Sequence, residues 1–93
     1  MKPLNEYSFQ DFKHMVRSAN PTDHWFFSQG FYGGYYADYR PGYPDKTDAD
    51  FTVSLCNGSD KLRLTIYQET ATIPIIKQYS DMMDLLRDIQ NME

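Results

Sequence analysis

Two runs of alternating apolar and polar residues flank an Asn-Gly pair in the second half of the chain, and they constrain the fold more than any other feature. Asn-Gly is a strong signal for a two-residue β-hairpin turn, because both turn positions need positive φ. With Asn57-Gly58 at the centre of the turn, Val53 lies opposite Leu62 and Phe51 lies opposite Leu64. The apolar residues of both strands then share one face: Phe51, Val53, Leu55, Leu62, Leu64 and Ile66.

The alternation also restricts the register of this hairpin. A turn centred one residue later, on Gly58-Ser59, keeps the same two faces. A three-residue loop instead places Val53 opposite Arg63 and mixes apolar with charged side chains. We therefore expect an even register, with Val53 and Leu62 both on the buried side.

A third run of the same kind follows Glu69-Thr70. By parity Ile73 and Ile75 join the core face, and Pro74, which has no amide hydrogen to donate, makes this strand an edge. Its outer side is also apolar (Tyr67, Thr72, Pro74 and Ile76) and needs a cover. We expect either a strand at Trp25–Phe27 that pairs with the sheet, or a homodimer through the edge at 73–77.

An amphipathic helix is predicted at each end of this β region. The first spans Phe9–Ala19, with Ser8 as N-cap and Asp11 three residues later, which is the pattern of a capping box. The second spans Asp81–Met92, with Ser80 as N-cap. Since each helix has one apolar stripe and the sheet has one apolar face, we predict a single α+β domain over residues 1–93. It is a two-layer sandwich in which both helices pack on one face of an antiparallel β-meander of three to four strands.

Nine of the 15 aromatic residues lie between positions 25 and 43, together with four of the five glycines. The glycines and Pro41 favour a structured loop after a short strand near residues 24–28. Its tyrosines either complete a thin core or form a protein-recognition surface, since tyrosine offers a large contact area with only two side-chain torsions to freeze. We take Tyr35, Tyr36 and Tyr39 as candidate partner-binding residues.

Acidic residues form two groups in a chain of net charge −4. One is a loop group, and the other is a stripe within about 60° on the second helix. In the second helix the acids also favour the helix dipole, and both groups aid solubility. The alternative is that they bind a basic surface of another protein. The candidate acids are Asp45, Asp48, Asp50, Asp81, Asp84 and Asp88.

The residues needed for catalysis or metal binding are few. Cys56 is the only cysteine, so the chain forms no internal disulfide, and with His14 and His24 it matches no zinc spacing. A small enzyme built around Cys56 and a histidine is the least favoured of three alternatives. No apolar run is long enough for a signal peptide or a membrane span. We therefore expect a cytoplasmic protein that is not an enzyme and holds no metal or cofactor.

These features favour a small acidic binding protein that occludes or bridges a protein partner with a basic surface. Size, acidity and lack of catalytic groups are general properties of immunity proteins, and of phage or mobile-element inhibitors of nucleic-acid-binding host proteins. No motif points to one such family. The alternative is a single-stranded nucleic-acid binder that uses the tyrosines with Lys61 and Arg63. It is disfavoured because phosphate binding needs a surplus of basic residues.

Overall fold

The computed structural model describes residues 6–30, 34–55, 62–67 and 72–91. Its helices and strands, in chain order, are α1 (Phe9–Ala19), β1 (Trp25–Gln29), β2 (Tyr35–Tyr39), β3 (Phe51–Leu55), β4 (Leu62–Ile66), β5 (Ile75–Tyr79) and α2 (Met82–Gln90). The strands form one antiparallel sheet in the order β1-β2-β3-β4-β5. Both helices bury their apolar stripes against the same face of this sheet. The α+β meander with terminal helices is thus confirmed, with five strands where three to four were expected.

The first helix begins where the sequence predicts. The Ser8 hydroxyl accepts a hydrogen bond from the Asp11 amide at 3.1 Å, and the Asp11 carboxylate accepts one from the Ser8 amide at 3.2 Å. These two bonds satisfy amide groups that a helix start leaves unpaired. Phe12 and Val16 are fully buried on the sheet, whereas His14 faces solvent.

The second helix begins one residue later than predicted, at Met82. Its N-cap is Asp81, not Ser80, because the Asp81 backbone is still extended and its carboxylate accepts a hydrogen bond from the Met83 amide at 2.9 Å. Aspartate and serine are equally good N-caps, so composition does not distinguish the two positions. The predicted apolar stripe is buried at Met82, Leu85 and Ile89.

The β3-β4 register is even, as the alternation requires. Val53 pairs with Leu64 and Leu55 pairs with Leu62. These are the partners of a turn centred on Gly58-Ser59, so the direct pairing of Val53 with Leu62 is wrong by two residues. A shift of two preserves the faces, and Val53, Leu62 and Leu64 are all fully buried. The turn itself, residues 56–61, lies outside the described residues.

The aromatic-rich segment at residues 25–43 contains two strands that pair as a hairpin. The loop that was predicted to follow the first strand is therefore wrong. Strands β1 and β2 pair from Trp25 opposite Tyr39 to Gln29 opposite Tyr35. Gly30 and Gly34 lie at the end of the hairpin, where the Gly30 amide donates to the Gly34 carbonyl at 2.8 Å. Clustered glycines predict loops because they permit unusual backbone angles, but Gly30 and Gly34 flank the two strands and leave their pairing regular.

The fifth strand departs most from the sequence prediction. It begins at Ile75, and Ile73 is 78% exposed, so its placement on the core face is wrong. Ile75 lies on the helix side but is 42% exposed. Two helices, each about 10 Å across, cover roughly four strands at about 4.8 Å spacing, which leaves the fifth at the margin. Its edge position is confirmed, and the strand predicted at Trp25–Phe27 does pair with the sheet, but at the opposite edge.

Asn20 is a buried polar residue that joins three elements at the end of α1. Its backbone carbonyl accepts a hydrogen bond from the Trp25 indole at 2.9 Å, and its side-chain amide donates to the Ile89 carbonyl near the end of α2 at 3.0 Å. Its own amide closes the last turn of α1 on Val16 at 3.0 Å. These bonds fix both helices relative to β1.

Replacing Leu64 with alanine is expected to lower the free energy of unfolding by about 2–5 kcal/mol, because the side chain is fully buried and the change leaves a cavity. Urea denaturation measures this. Thr65→Ala, one residue along on the opposite face, serves as the control and should change stability by less than about 1 kcal/mol. Equal losses for the two variants would contradict the assigned faces.

Asn20→Ala is expected to lower the free energy of unfolding by about 1–3 kcal/mol, since it removes a buried hydrogen bond from the Asn20 side chain to the Ile89 carbonyl. Asn91→Ala is a matched control, because Asn91 donates the same kind of bond to the Arg87 carbonyl at an exposed site. The free energy of unfolding should fall clearly less for Asn91→Ala in the same urea titration. If the control loses as much stability, burial is not what makes Asn20 important.

Candidate functional site

The face of the sheet opposite the helices, here called the outer face, carries alternate side chains of every strand. The strand register aligns them in two rows. One row is Ser28, Tyr36, Ser54, Arg63 and Gln78, and the other is Phe26, Asp38, Thr52, Thr65 and Ile76. In the described part of the chain no helix covers this face, so its side chains meet solvent.

A groove of about 870 Å³ lies on the outer face beside the loop that joins β2 to β3. The loop is held by the Arg40 guanidinium, which donates to the Thr47 carbonyl at 2.9 Å, and by a turn from Gly42 to Lys46. A Cβ atom on Gly42 would lie 2.9 Å from the Lys46 Cβ, so this turn requires glycine. The residues that line the groove include Tyr36, Lys46, Asp48, Asp50, Thr65 and Tyr67.

Aromatic rings stand exposed on both sides of this groove. Tyr67 is 49% exposed and Tyr36 is 38% exposed. At the β1 side Phe26 meets Tyr43 edge to face, with ring centroids 4.8 Å apart, and the Arg40 guanidinium lies 5.7 Å from the Phe26 centroid. Four large aromatic side chains, Phe26, Tyr36, Tyr43 and Tyr67, are thus more than one third exposed around this groove.

Charges on the outer face divide into paired and unpaired groups. Asp38 and Arg40 form an ion pair at 2.7 Å and largely neutralise each other. The exposed carboxylates of Asp48 and Asp50 make no hydrogen bond or ion pair with any residue described. These two acids are therefore available to a cation from outside.

The structure separates the three candidate tyrosines. Tyr36 lies on the outer face, but Tyr39 is only 8% exposed and stacks on Phe51 with centroids 4.5 Å apart. Tyr35 also lies on the helix side, 5.9 Å from Phe12 between ring centroids. Tyr35 and Tyr39 thus complete the core, which is the other role that the sequence left open for them.

The two acidic groups do not form one surface. Asp48 and Asp50 line the groove on the outer face, and Asp45 is exposed in the same loop. The acids of α2 belong to the helix layer on the other side of the sheet. There Asp81 caps the helix, Asp84 lies 3.5 Å from Arg87, and Asp88 accepts a hydrogen bond from the Tyr79 hydroxyl.

Phe26 and Tyr43 are outer-face residues that sequence reasoning missed as site residues. The sequence contained a signal for Phe26. Trp25 and Phe27 are two positions apart on one strand and both lie on the helix side, so Phe26 between them lies on the outer face. No such alternation identifies Tyr43, since it lies in a loop.

Other chemistry is sparse in the residues described. They contain no group of three side chains that could hold a metal ion, and none of their helices is long and apolar enough to cross a membrane. His14 is exposed on α1, and His24 packs edge to face on Tyr39 at 5.6 Å. Comparison of the chain with protein families, curated proteins and solved structures found no match.

Tyr79 is expected to make stability depend on pH. Burial, together with its hydrogen bond to Asp88, raises the pKa of Tyr79 above its usual value of 10.0. The unfolded chain therefore loses this proton first, and the free energy of unfolding should fall as the pH rises from about 9 to about 11. Tyr79→Phe removes this contribution, so urea denaturation should show a shallower decline for the variant. Identical declines would show that Tyr79 is not coupled to folding.

Proposed function

We propose that this chain is a small, non-catalytic binding protein that occludes or bridges a protein partner with a basic surface, and that it docks through the outer face. One observation supports this most directly. An entire sheet face, free of helices in the described residues, presents the exposed rings of Tyr36 and Tyr67 beside the unpaired carboxylates of Asp48 and Asp50.

The combination of rings and acids matches lysine and arginine side chains. Their alkyl stems pack on apolar surface while the charged heads stay in a polar environment. A stem lying on Tyr67 would bring its cation towards Asp50, where a charge-assisted hydrogen bond is roughly twice as strong as a neutral one. A cation over a tyrosine ring gains about 0.5–1 kcal/mol more at an exposed site.

The magnitudes favour rings over charges as the source of affinity. Two free carboxylates at exposed positions contribute little each, because water and salt screen them. A tyrosine in the centre of an interface typically contributes more than about 1–2 kcal/mol. The acids therefore select a basic partner, such as a host protein whose surface binds nucleic acid, and the rings hold it.

The lining of the groove fits binding better than catalysis. Among the residues described, it contains hydroxyl groups on Thr52, Ser54 and Thr65 but no histidine or cysteine. A hydroxyl group needs an adjacent base to become a nucleophile, and the Asp48 and Asp50 carboxylates make no hydrogen bond to these hydroxyls. The one arginine that lines the groove, Arg40, is engaged by Asp38 and by the Thr47 carbonyl.

Tyr67→Ala is expected to weaken partner binding about tenfold or more, since it removes a half-exposed ring from the groove. Proteins captured from an extract of the native host by the wild type are compared with those captured by the variant, and the protein that is lost is then purified and titrated. Met83→Ala is the control, because Met83 is equally exposed but lies on α2 in the helix layer.

The acids are tested with the same purified partner. Asp48→Asn combined with Asp50→Asn should weaken binding and reduce its dependence on salt. Asp84→Asn combined with Asp88→Asn, in the helix layer, should leave the affinity and its dependence on salt unchanged. A partner that binds the outer-face variants with unaltered affinity and loses affinity for the α2 variant would overturn the docking face and favour the acidic stripe on α2.

A single-stranded nucleic-acid binder is the second candidate, and Arg63 is the observation that favours it. Arg63 lies on the outer face in the row with Tyr36, and its buried Nε has no hydrogen-bond partner. Bases stack on exposed rings, and an arginine would contact the phosphate. Titration with a fluorescent oligothymidylate at low salt tests this. Binding that Arg63→Gln abolishes would favour nucleic acid over a protein partner.

A further inference from the structure

Strand β5 has a free edge whose backbone groups can be assigned. The Tyr67 amide donates to the Asp50 carbonyl at 2.9 Å, so Tyr67, and every second residue before it on β4, points its backbone groups towards β3. The intervening residues of β4 therefore bond to β5, at Ile75, Lys77 and Tyr79. The amides and carbonyls of Ile76 and Gln78 point away from the sheet, and no described strand pairs with them.

Large apolar side chains flank this edge on both faces of the sheet. Ile75 lies on the helix side and is 42% exposed, whereas Ile76 lies on the outer face and is 56% exposed. A partner on the outer face covers only Ile76, and a partner on the helix layer covers only Ile75. A strand added along the edge covers both, because its side chains alternate between the two faces.

We propose that a second copy of this chain occupies the edge, with the two β5 strands antiparallel across a two-fold axis at Ile76. Ile76 then exchanges both backbone hydrogen bonds with Ile76 of the second copy. The Gln78 amide donates to the carbonyl of Pro74 of the second copy, and this carbonyl needs no amide on proline to accept the bond. The result is a ten-stranded sheet.

The charge pattern of β5 selects this register. Lys77 is the only charged residue of the strand. Centring the axis on Lys77 would place two lysines directly opposite each other, which is destabilising. Centring it on Ile76 places each Lys77 opposite Ile75 of the other copy, where the lysine stem can cover the isoleucine.

The symmetry of the contact favours a second copy over an open chain of copies. Pairing of β5 with β1 of another molecule would leave further edges free and grow without end, whereas pairing of β5 with itself closes as a dimer. The β1 edge is also flanked by α1, whose Arg17 lies 4.8 Å from the centroid of the Phe27 ring. This inference is independent of the partner proposed for the outer face.

Sedimentation velocity over a concentration series tests the dimer. The wild type should pass from monomer to dimer as concentration rises. Ile76→Lys puts like charges on the axis and should weaken self-association at least tenfold. The matched control is Met83→Lys, which changes an exposed apolar residue on α2 and should behave as wild type.

A second variant removes a backbone donor without touching the β4-β5 ladder. The Gln78 amide points outward, so Gln78→Pro deletes only an edge hydrogen bond, a substitution that edge strands tolerate. It should weaken the dimer while circular dichroism shows a folded monomer. A wild type that stays monomeric at about 1 mM, or a dimer that neither Ile76→Lys nor Gln78→Pro weakens, would overturn the proposal.

Disulfide trapping then tests the register. In a Cys56→Ser background, Ile76→Cys should form a covalent dimer on mild oxidation, because Cα atoms of a hydrogen-bonded pair lie about 5.5 Å apart, within the range that a disulfide bridges. Met83→Cys in the same background should stay monomeric. A wild-type dimer in which Ile76→Cys does not cross-link would place the two-fold axis elsewhere and refute the Ile76 register.

Discussion

Two helices packed side by side are about 20 Å wide, and the five-stranded sheet beneath them is wider. This mismatch determines which residues are buried. Strands β1 to β4 contribute fully buried or nearly buried side chains to the core, among them Trp25, Ala37, Val53 and Leu64. Strand β5 contributes only the partly buried Tyr79 and leaves its isoleucines exposed. A third helix would be needed to cover the margin.

The hydrogen bonds of Asn20 position the helix layer over the sheet. They tie the ends of α1 and α2 to Trp25, so the helix layer is fixed at the β1 side of the sheet. Burial strengthens this constraint, because water does not readily replace a hydrogen bond between buried groups. At the far side α2 also packs on β5, where the Tyr79 hydroxyl bonds to Asp88. The helix layer is thus tied to β1 through Asn20 and to β5 through a side-chain hydrogen bond.

Much of the fold could be predicted from the sequence because apolar alternation encodes faces. The alternation of β3 and β4 determined which side chains are buried, but not the direct partner of Val53, since a register shift of two residues leaves every face unchanged. Likewise, a capping residue identified the start of α2 only to within one position, as Ser80 and Asp81 cap equally well.

The candidate site was less predictable, for a different reason. Tyrosine is amphipathic, so Tyr36 on the outer face and Tyr39 in the core are the same residue type three positions apart. Recognition of β2 as a strand would have separated them, but the neighbouring glycines obscured that strand. The separation of the two acidic groups depends on which face of the sheet each element adjoins. That is a tertiary property, which no local pattern around Asp50 or Asp84 contains.

The composition of the outer face explains how it can remain exposed to water. Its rows combine hydroxyl side chains, such as Thr52 and Thr65, with the amphipathic ring of Tyr36. Phe26 and Ile76, at the two ends of one row, have no polar group, and the more exposed of the two is Ile76, at 56%. In a β5-paired dimer this residue moves from the margin to the middle of a continuous sheet. The two outer faces then become one surface with two identical grooves, and a partner with two basic sites would bind it with the gain that linked binding sites provide.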